Sequence, residues 1–287
     1  MIEHLVEHGL SARAACRWSG YSRAVATYSL KCPAQDAAQL KTLRRVARAN
    51  PRYGYRRVAV KSGLGFGQTW RLWKQHDFRL APQRRRPKRQ PTTGPNRPCQ
   101  AEHPKHVWTY DILHDRLADG RPFKTLSVLD EFTRECVAIP VATSIQAEDV
   151  IALLRKVFRH RGAPEFLRSD NGSEFTAQAV QTWLDDHQVG PTFIPPGQPW
   201  KNGFIESFHD KFRDECLQRE WFQSLAEAQV VIEKWRKRYN TQRPHSALDY
   251  TCTALARSAS AGVKPQRNSR PPTKPSPLRE ASHFAWS

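Results

Sequence analysis

The clearest alternation of apolar and polar positions lies in the middle of the chain. His106-Val-Trp-Thr-Tyr-Asp-Ile-Leu is rich in strand formers and predicts a strand carrying Asp111 near its middle. Lys124-Thr-Leu-Ser-Val-Leu-Asp-Glu predicts a second strand, after a turn through Asp119-Gly120-Arg121-Pro122, and Glu135-Cys-Val-Ala-Ile-Pro-Val-Ala predicts a third. The short connections make these three antiparallel neighbours. Val150, Leu153, Leu154 and Val157 recur at helical spacing, so residues 147–160 predict an amphipathic helix. A fourth strand, Glu165 to Asp170, breaks at Asn171-Gly172, as a strand ending in a turn does. A helix over 174–187, a short fifth strand at Pro191-Thr-Phe-Ile-Pro and a helix bearing Glu206 follow. Ser224-Leu-Ala-Glu opens a last long helix with a capping box from Ser224 to Glu227. The succession describes a mixed α/β sheet.

The helix bearing Glu206 has two faces. At 100° per residue, Asn202, Asp210 and Arg213 fall within about 40° of Glu206, while Ile205, Phe208 and Phe212 lie on the far side. One carboxylate flanked by a cation is thereby offered to whatever lies opposite.

The first third is patterned differently. Residues 1–30 read as partly amphipathic helix, with Ser11 as one N-cap and Ser22 as the cap of a second helix ending near Lys31. Residues 37–49 read as a basic helix stopped by Pro51. With Gln68 to Gln75 they suggest a helix-turn-helix, in which Arg71 and Lys74 face phosphates or base edges while Trp70, Leu72 and Trp73 pack. Arg84, Arg85 and Arg86 open a basic, Pro-rich linker that reads as lying along DNA backbone. The expected organisation is an N-terminal helical region (1–45), a helix-turn-helix-like region with its linker (46–98), an α/β body (99–255) and a basic, Pro/Ser-rich disordered tail (256–287).

Charge sharpens this division. The net charge of +19 is concentrated in residues 1–98, with 21 Lys/Arg against 4 Asp/Glu, whereas residues 99–255 hold 19 against 22. A basic N-terminal third on a slightly acidic body reads as a nucleic-acid grip attached to a working domain. No apolar run approaches a membrane span, and no signal peptide opens the chain. The 6 cysteines are scattered without a C-x-x-C pair, which fits reduced thiols in the cytoplasm. His4, His8, Cys16 and Cys32 lack the spacing of a zinc finger.

Asp111, Asp170 and Glu206 sit on elements able to converge, and grouped carboxylates are the raw material of a divalent metal site. Spacing alone leaves bland roles open: a hydrogen-bonding residue for Asp111, a strand-end cap for Asp170, a solvated face for Glu206. Against these, a charge inside an otherwise apolar strand costs several kcal/mol unless a partner or metal compensates it.

The segments WTYDILHDRLADGRPFKTLSVLDEFTREC, RSDNGSEF, PPGQPWKNGFIESFHDKFRDE and YNTQRPHSAL, in this order, resemble the blocks of the integrase-core transposases encoded by the second reading frame of bacterial insertion sequences. Gaps of 58 residues between Asp111 and Asp170, and 35 between Asp170 and Glu206, match that family's Asp-Asp-Glu pattern. The resemblance implies a ribonuclease-H-like mixed five-stranded sheet with flanking helices. It also implies two Mg²⁺ (or Mn²⁺) ions held by Asp111, Asp170 and Glu206, and metal-dependent cleavage of transposon ends followed by strand transfer. Arg213, Asn171, Gly172, Trp200, Lys201 and Asn202 are the expected DNA contacts of the core, and His245 is expected to be structural. The implied partners are transposon-end and target DNA, further copies of the chain and an upstream-frame helix-turn-helix protein or fusion. Two other readings stand beside this one: an inactive DNA-binding remnant or repressor, and a nuclease acting on RNA–DNA hybrids.

Two departures from the pattern stand out. The segment between Tyr55 and Trp73 is several residues short and holds Gly63, Gly65 and Gly67, each expected to weaken a recognition helix by about 1 kcal/mol. The tail after Arg257 lacks the family's pattern. Both fit a decaying or frame-altered copy of an element.

Overall fold

The computed structural model describes residues 2–20, 33–78, 80, 100–195 and 202–260. The predicted Ser22-capped helix, Arg84, Arg85, Arg86, Trp200, Lys201 and the tail beyond residue 260 lie outside the described residues. The chain divides into two compact units. One comprises Met1–Pro91, Lys211–Glu220 and Pro244–Thr251, and the other Thr92–Asp210, Trp221–Arg243 and Cys252–Ser287.

In the first unit, helices α1 (Ile2–Glu7) and α2 (Ala12–Ser19) are followed by α3 (Pro33–Ala49), α4 (Tyr55–Ser62) and α5 (Phe66–Gln75). Ser11 caps α2 as its sequence predicts, its side chain accepting the Ala14 N–H. Leu43 and Val46 of α3, Tyr53, Val58 of α4 and Leu72 of α5 form a small core on which Leu64, Trp73 and Phe78 pack. The glycine-rich segment is therefore a helix and a turn, where the pattern suggested a weakened recognition helix. Gly63 sits at φ 69° and closes α4, donating its N–H to the Ala59 and Val60 carbonyls. Gly65 is the N-cap of α5, and only Gly67 lies inside that helix. Trp70 also departs from expectation: it is 49% exposed and tilts over Tyr55 at 4.9 Å.

The second unit is built on a six-stranded sheet. Its strands are β1 (Val107–Arg116), β2 (Pro122–Asp130), β3 (Cys136–Ala138), β4 (Val141–Ala142), β5 (Phe166–Ser169) and β6 (Gly190–Phe193). The order is β3-β2-β1-β5-β6, with β4 also on β2. Strands β1 to β4 pair antiparallel, whereas β5 joins β1 and β6 joins β5 in parallel. The expected third strand is split in two around Ile139-Pro140, because proline supplies no N–H to a ladder. The first three predicted strands are antiparallel neighbours, as expected.

Helices α6 (Ala147–Arg161), α7 (Ser173–Thr176), α8 (Gln178–Asp186), α9 (Gly203–Glu215), α10 (Leu225–Gln242) and α11 (Thr253–Ser260) complete the chain. Val150, Leu154 and Val157 of α6 and Val180 and Leu184 of α8 bury the sheet face that carries Trp108, Tyr110, Leu126 and Val128. Ser224 caps α10 by accepting the Glu227 N–H at 3.2 Å, while Glu227 reaches back to the Gln223 N–H at 2.7 Å. Asn240 of α10 holds the edge strand β3, accepting the Cys136 N–H at 3.0 Å and donating to the Cys136 carbonyl at 2.9 Å. Two side-chain bonds of this kind cover a strand edge that would otherwise be open to pairing. Among the described residues, no helix is long and apolar enough to cross a membrane.

Candidate active site

The parallel pairing of β1 with β5 sets the site. It runs only from Val107↔Phe166 to Thr109↔Arg168. Carried two residues further, this register brings Asp111 alongside Asp170, just where β5 gives way to a turn. The side chain of Asp111 is 21% exposed, so it sits where the strand leaves the core, not in the fully apolar interior its neighbours suggested. Its Oδ1 accepts the Ile112 N–H at 2.8 Å. Tyr110, one residue earlier, faces the core. Burial pushes its phenol well above the ordinary value, against a hydrogen bond with Ser169 and with the charge of Asp170 nearby.

Asp170 is exposed at the end of β5. Its Oδ1 accepts the Gly172 N–H at 2.9 Å, so the turn aims the carboxylate. Asn171 donates Nδ2–H to the Ile194 carbonyl at 2.8 Å, tying this turn to the end of β6. A Cβ at Gly172 would stand 3.1 Å from Asp170 Oδ1, 3.3 Å from Phe175 and 3.4 Å from Glu174 Oε2. What crowds Gly172 is its own turn. Asn171 and Gly172, expected as DNA contacts, thus have structural work that the sequence pattern did not reveal.

Helix α9 delivers Glu206. Its apolar face is buried as predicted, with Ile205 and Phe212 fully covered and Phe208 packed on Trp235 and Tyr239. Asn202, immediately before the helix, accepts a bond from Thr109 Oγ1 at 3.4 Å. Further along, His209 places Nδ1 3.6 Å from Asp111 Oδ2 and Nε2 3.1 Å from Ser127 Oγ. Glu206, half-buried, lies between these two anchors and shares their side of the helix. The side of α9 that carries Glu206 therefore packs on the strand that carries Asp111.

Asn202 is only 9% exposed, and its carboxamide oxygen is engaged by Thr109 of β1. Arg213 is exposed, and so is Lys74. Arg71 is exposed as well, but forms a two-pronged pair with Asp36 at 2.6 and 2.9 Å, so its fork is already filled. His245 is buried, its N–H donating to the Thr251 carbonyl, in keeping with a structural role.

Two contacts beside the acidic residues join side chains that lie within the quoted blocks but have no expected role there. The first is the His209–Ser127 contact. His209 could have been found from its place three residues after Glu206, and Ser127 from its register opposite Asp111. The second is the Arg168–Glu131 pair beneath Asp170. Arg168 Nη1 lies 2.6 and 2.7 Å from the two Glu131 oxygens, and both side chains are 1% exposed. Burial pushes the Glu131 carboxyl up to about 7, against the pull of Arg168. No periodicity marks such a pair, since both residues are charged and both are inside.

Among the described residues, His103, His106 and Glu165 are the group of potential ligands whose atoms all lie within 4.8 Å of one another. The His103 and His106 rings stack at 11°, with His106 Nδ1 accepting the Glu102 N–H at 3.1 Å and His103 Nε2 3.3 Å from Glu165 Oε1. Asp111, Asp170 and Glu206 are spaced more widely than that, on β1, after β5 and on α9.

Three antiparallel strands with two parallel additions, flanked by helices, form a mixed sheet of the ribonuclease-H-like kind. Family models described as "integrase core domain" match residues 101–199 and 187–252. An insertion element IS476 protein of Xanthomonas euvesicatoria is 37% identical over 86% of this chain and 72% of its own length. An insertion element IS407 protein of Burkholderia multivorans is 38% identical over 84% of this chain and 88% of its own. Among solved structures, the HTLV-2 integrase catalytic core domain in complex with magnesium is similar at 16% identity and a TM-score of 0.41, over 54% of this chain and 97% of that one. The chain belongs to the bacterial insertion-sequence transposases with an integrase core.

Proposed function

We propose that this transposase cleaves the ends of its element and joins them to target DNA with Asp111, Asp170 and Glu206 as the metal-holding carboxylates. The observation that carries the reading is the convergence of β1, the β5 turn and α9, fixed by the Thr109↔Arg168 register and by the His209 bridge to Asp111 and Ser127. Three carboxylates are a hard oxygen donor set, which fits Mg²⁺ or Mn²⁺ and not a thiolate-seeking ion. Their separation on three elements suits two ions better than one tight cage. When bound, the ions supply Lewis-acid activation of the attacking oxygen and stabilisation of the departing 3′-oxygen.

The chain's own residues do the positioning. The Gly172 N–H and the turn behind it aim Asp170, and His209 holds Asp111 from the helix side. Arg213, seven residues beyond Glu206 and exposed on the same face of α9, meets a phosphate near the scissile bond. Lys201 and Trp200 contact the DNA end. The reaction needs no covalent protein–DNA intermediate, because water and then the freed 3′-hydroxyl serve as nucleophiles.

The organisation that follows is a basic DNA-gripping region over residues 1–98 feeding a catalytic core over 99–255. The protein acts in the cytoplasm as a homo-oligomer on DNA, alone or joined to an upstream-frame helix-turn-helix protein. Mg²⁺-dependent nicking of a duplex carrying the element's end, compared between the wild type and Asp111→Asn, tests the reading. Nicking by the wild type and none by the variant is expected; equal nicking by both removes the assigned site.

A further inference from the structure

Helix α3 carries its charge along one side. Lys41, Arg44, Arg45 and Arg48 are all exposed and fall within an arc of about 100° along about 10 Å of helix axis. Leu43 and Val46, on the opposite side, are buried in the small core of the unit. Two other cations of the unit are matched internally: Arg71 by Asp36 at 2.6 Å and Arg52 by Asp214 at 3.2 Å. Among the described residues, the four cations of the stripe form no ion pair.

A helix face that is merely solvated interleaves acids with its bases at i, i+3 and i, i+4 spacing. This one does the reverse. Lys41 and Arg45, and Arg44 and Arg48, are like charges four apart, and Lys41 and Arg44, and Arg45 and Arg48, three apart. Each such pair disfavours the isolated helix. The one acid of α3, Asp36, is held by Arg71, so nothing on the helix relieves the repulsion. A line of like charges is relieved by a polyanion laid along it, and double-stranded DNA presents about one charge per 1.7 Å of axis.

We propose that the Lys41–Arg44–Arg45–Arg48 stripe of α3, and not the α5 residue Arg71, is where the N-terminal unit grips the sugar-phosphate backbone of DNA, independently of sequence. The inference rests on the transposase reading for the presence of DNA, but names the surface that holds it. Arginine's fork suits two phosphate oxygens at once, and a lysine beside it adds a point charge.

The test uses the full chain in EDTA, where no cleavage occurs. Affinity for two unrelated duplexes is measured by fluorescence anisotropy between about 50 and 200 mM salt, the range over which backbone contacts show. For the Lys41→Gln/Arg44→Gln/Arg45→Gln/Arg48→Gln variant, the slope of log affinity against log salt is expected to become shallower by about 0.9 for each phosphate no longer neutralised. The weakening should be equal on both duplexes. Circular dichroism checks that the variant folds. If it does not, Arg44→Gln alone should cost about 0.9 of slope, while Arg44→Lys keeps the wild-type slope. Arg71→Gln should leave the slope unchanged. Wild-type slopes in the stripe variants, as expected if the stripe instead meets an acidic protein surface, would overturn the proposal, and so would a weakening confined to one duplex. Cleavage by Glu206→Gln in Mg²⁺ is read separately. Retained cleavage in that variant would sink the assigned carboxylate and leave the stripe standing.

Discussion

His209 Nδ1 lies 3.6 Å from Asp111 Oδ2 across the joint between helix α9 and strand β1, and its other ring nitrogen is 3.1 Å from Ser127 Oγ. A single buried side chain thus connects the helix that bears Glu206 to the first aspartate's own strand and to the strand beside it. Replacing His209 by Gln removes the contact to Asp111 while keeping a polar group near Ser127. Supporting residues of this kind typically contribute 10–100-fold to metal affinity or activity. Strand-transfer rate is expected to fall by about that factor, with duplex affinity in EDTA unchanged. A wild-type rate would mean that the bridge is packing only.

Gly172 should be intolerant of even one methyl. Its φ of −58° is ordinary for any residue, so backbone strain plays no part. A Cβ would, however, press on Asp170 Oδ1 at 3.1 Å and on the Phe175 ring at 3.3 Å. Gly172→Ala is expected to displace the Asp170 carboxylate, lowering the cleavage rate about tenfold or more, in line with small displacements at reacting centres. Thermal stability should change by less than about 1 kcal/mol. A rate equal to wild type would show that the Asp170 turn has room to give.

The buried Arg168–Glu131 pair gives a mutational and a pH prediction. Removing Glu131 leaves the Arg168 guanidinium as an uncompensated buried charge, so Glu131→Leu should cost about 3–5 kcal/mol in a denaturant melt. Arg168→Met combined with Glu131→Leu should recover most of it. Glu131 binds its proton more tightly in the folded chain, about 7 against an ordinary 4.5. Between those values the folded state holds more protons than the unfolded one, so stability contributed by this group is full below pH 4.5 and is lost as pH rises through about 7. Melts of the wild type should show that decline, and Glu131→Gln should flatten it.

Two glycines four residues apart should respond with opposite signs. Gly63 is at φ 69° at the end of α4, a conformation that costs an L-residue about 1 kcal/mol. Gly63→Ala is therefore destabilising. Gly67 lies inside α5, and nothing stands within 4 Å of the place a methyl would take, so Gly67→Ala should stabilise by about 0.5–1 kcal/mol. Thermal melts of the two variants read both signs directly.

Most of the sheet is legible in the sequence because β1 and β2 alternate and their turns carry Asp-Gly and Pro signals. The break in the third strand is also written in the chain, as Pro140, but an apolar run on both sides of it reads as continuous. Helix α4 is hard to see because Tyr55-Arg-Arg-Val-Ala-Val-Lys-Ser holds only a few apolar positions, and its glycine cap resembles a disrupted helix. In the site, motif and spacing point to Asp111, Asp170 and Glu206 without revealing how they are held. Asn171, Gly172 and Asn202 share those motifs, yet their polar atoms bond to Ile194, Asp170 and Thr109. A linear pattern does not distinguish a residue that touches the substrate from one that braces its neighbour. The Arg168–Glu131 pair is hidden for a related reason: two charges neutralising each other indoors look, in sequence, like two charges on the surface.

Glu206, on the helix whose His209 and Asn202 contact β1, is the carboxylate on which the proposed metal-dependent phosphoryl-transfer reading turns. Its sharpest test is Mg²⁺-dependent 3′-end cleavage of the element's terminal duplex by Glu206→Gln beside the wild type, at matched DNA occupancy. Wild-type binding is expected, with a cleavage rate lower by about 10³-fold or more, the scale on which loss of a group stabilising transition-state charge is felt. Cleavage by Glu206→Gln at the wild-type rate would contradict the assignment.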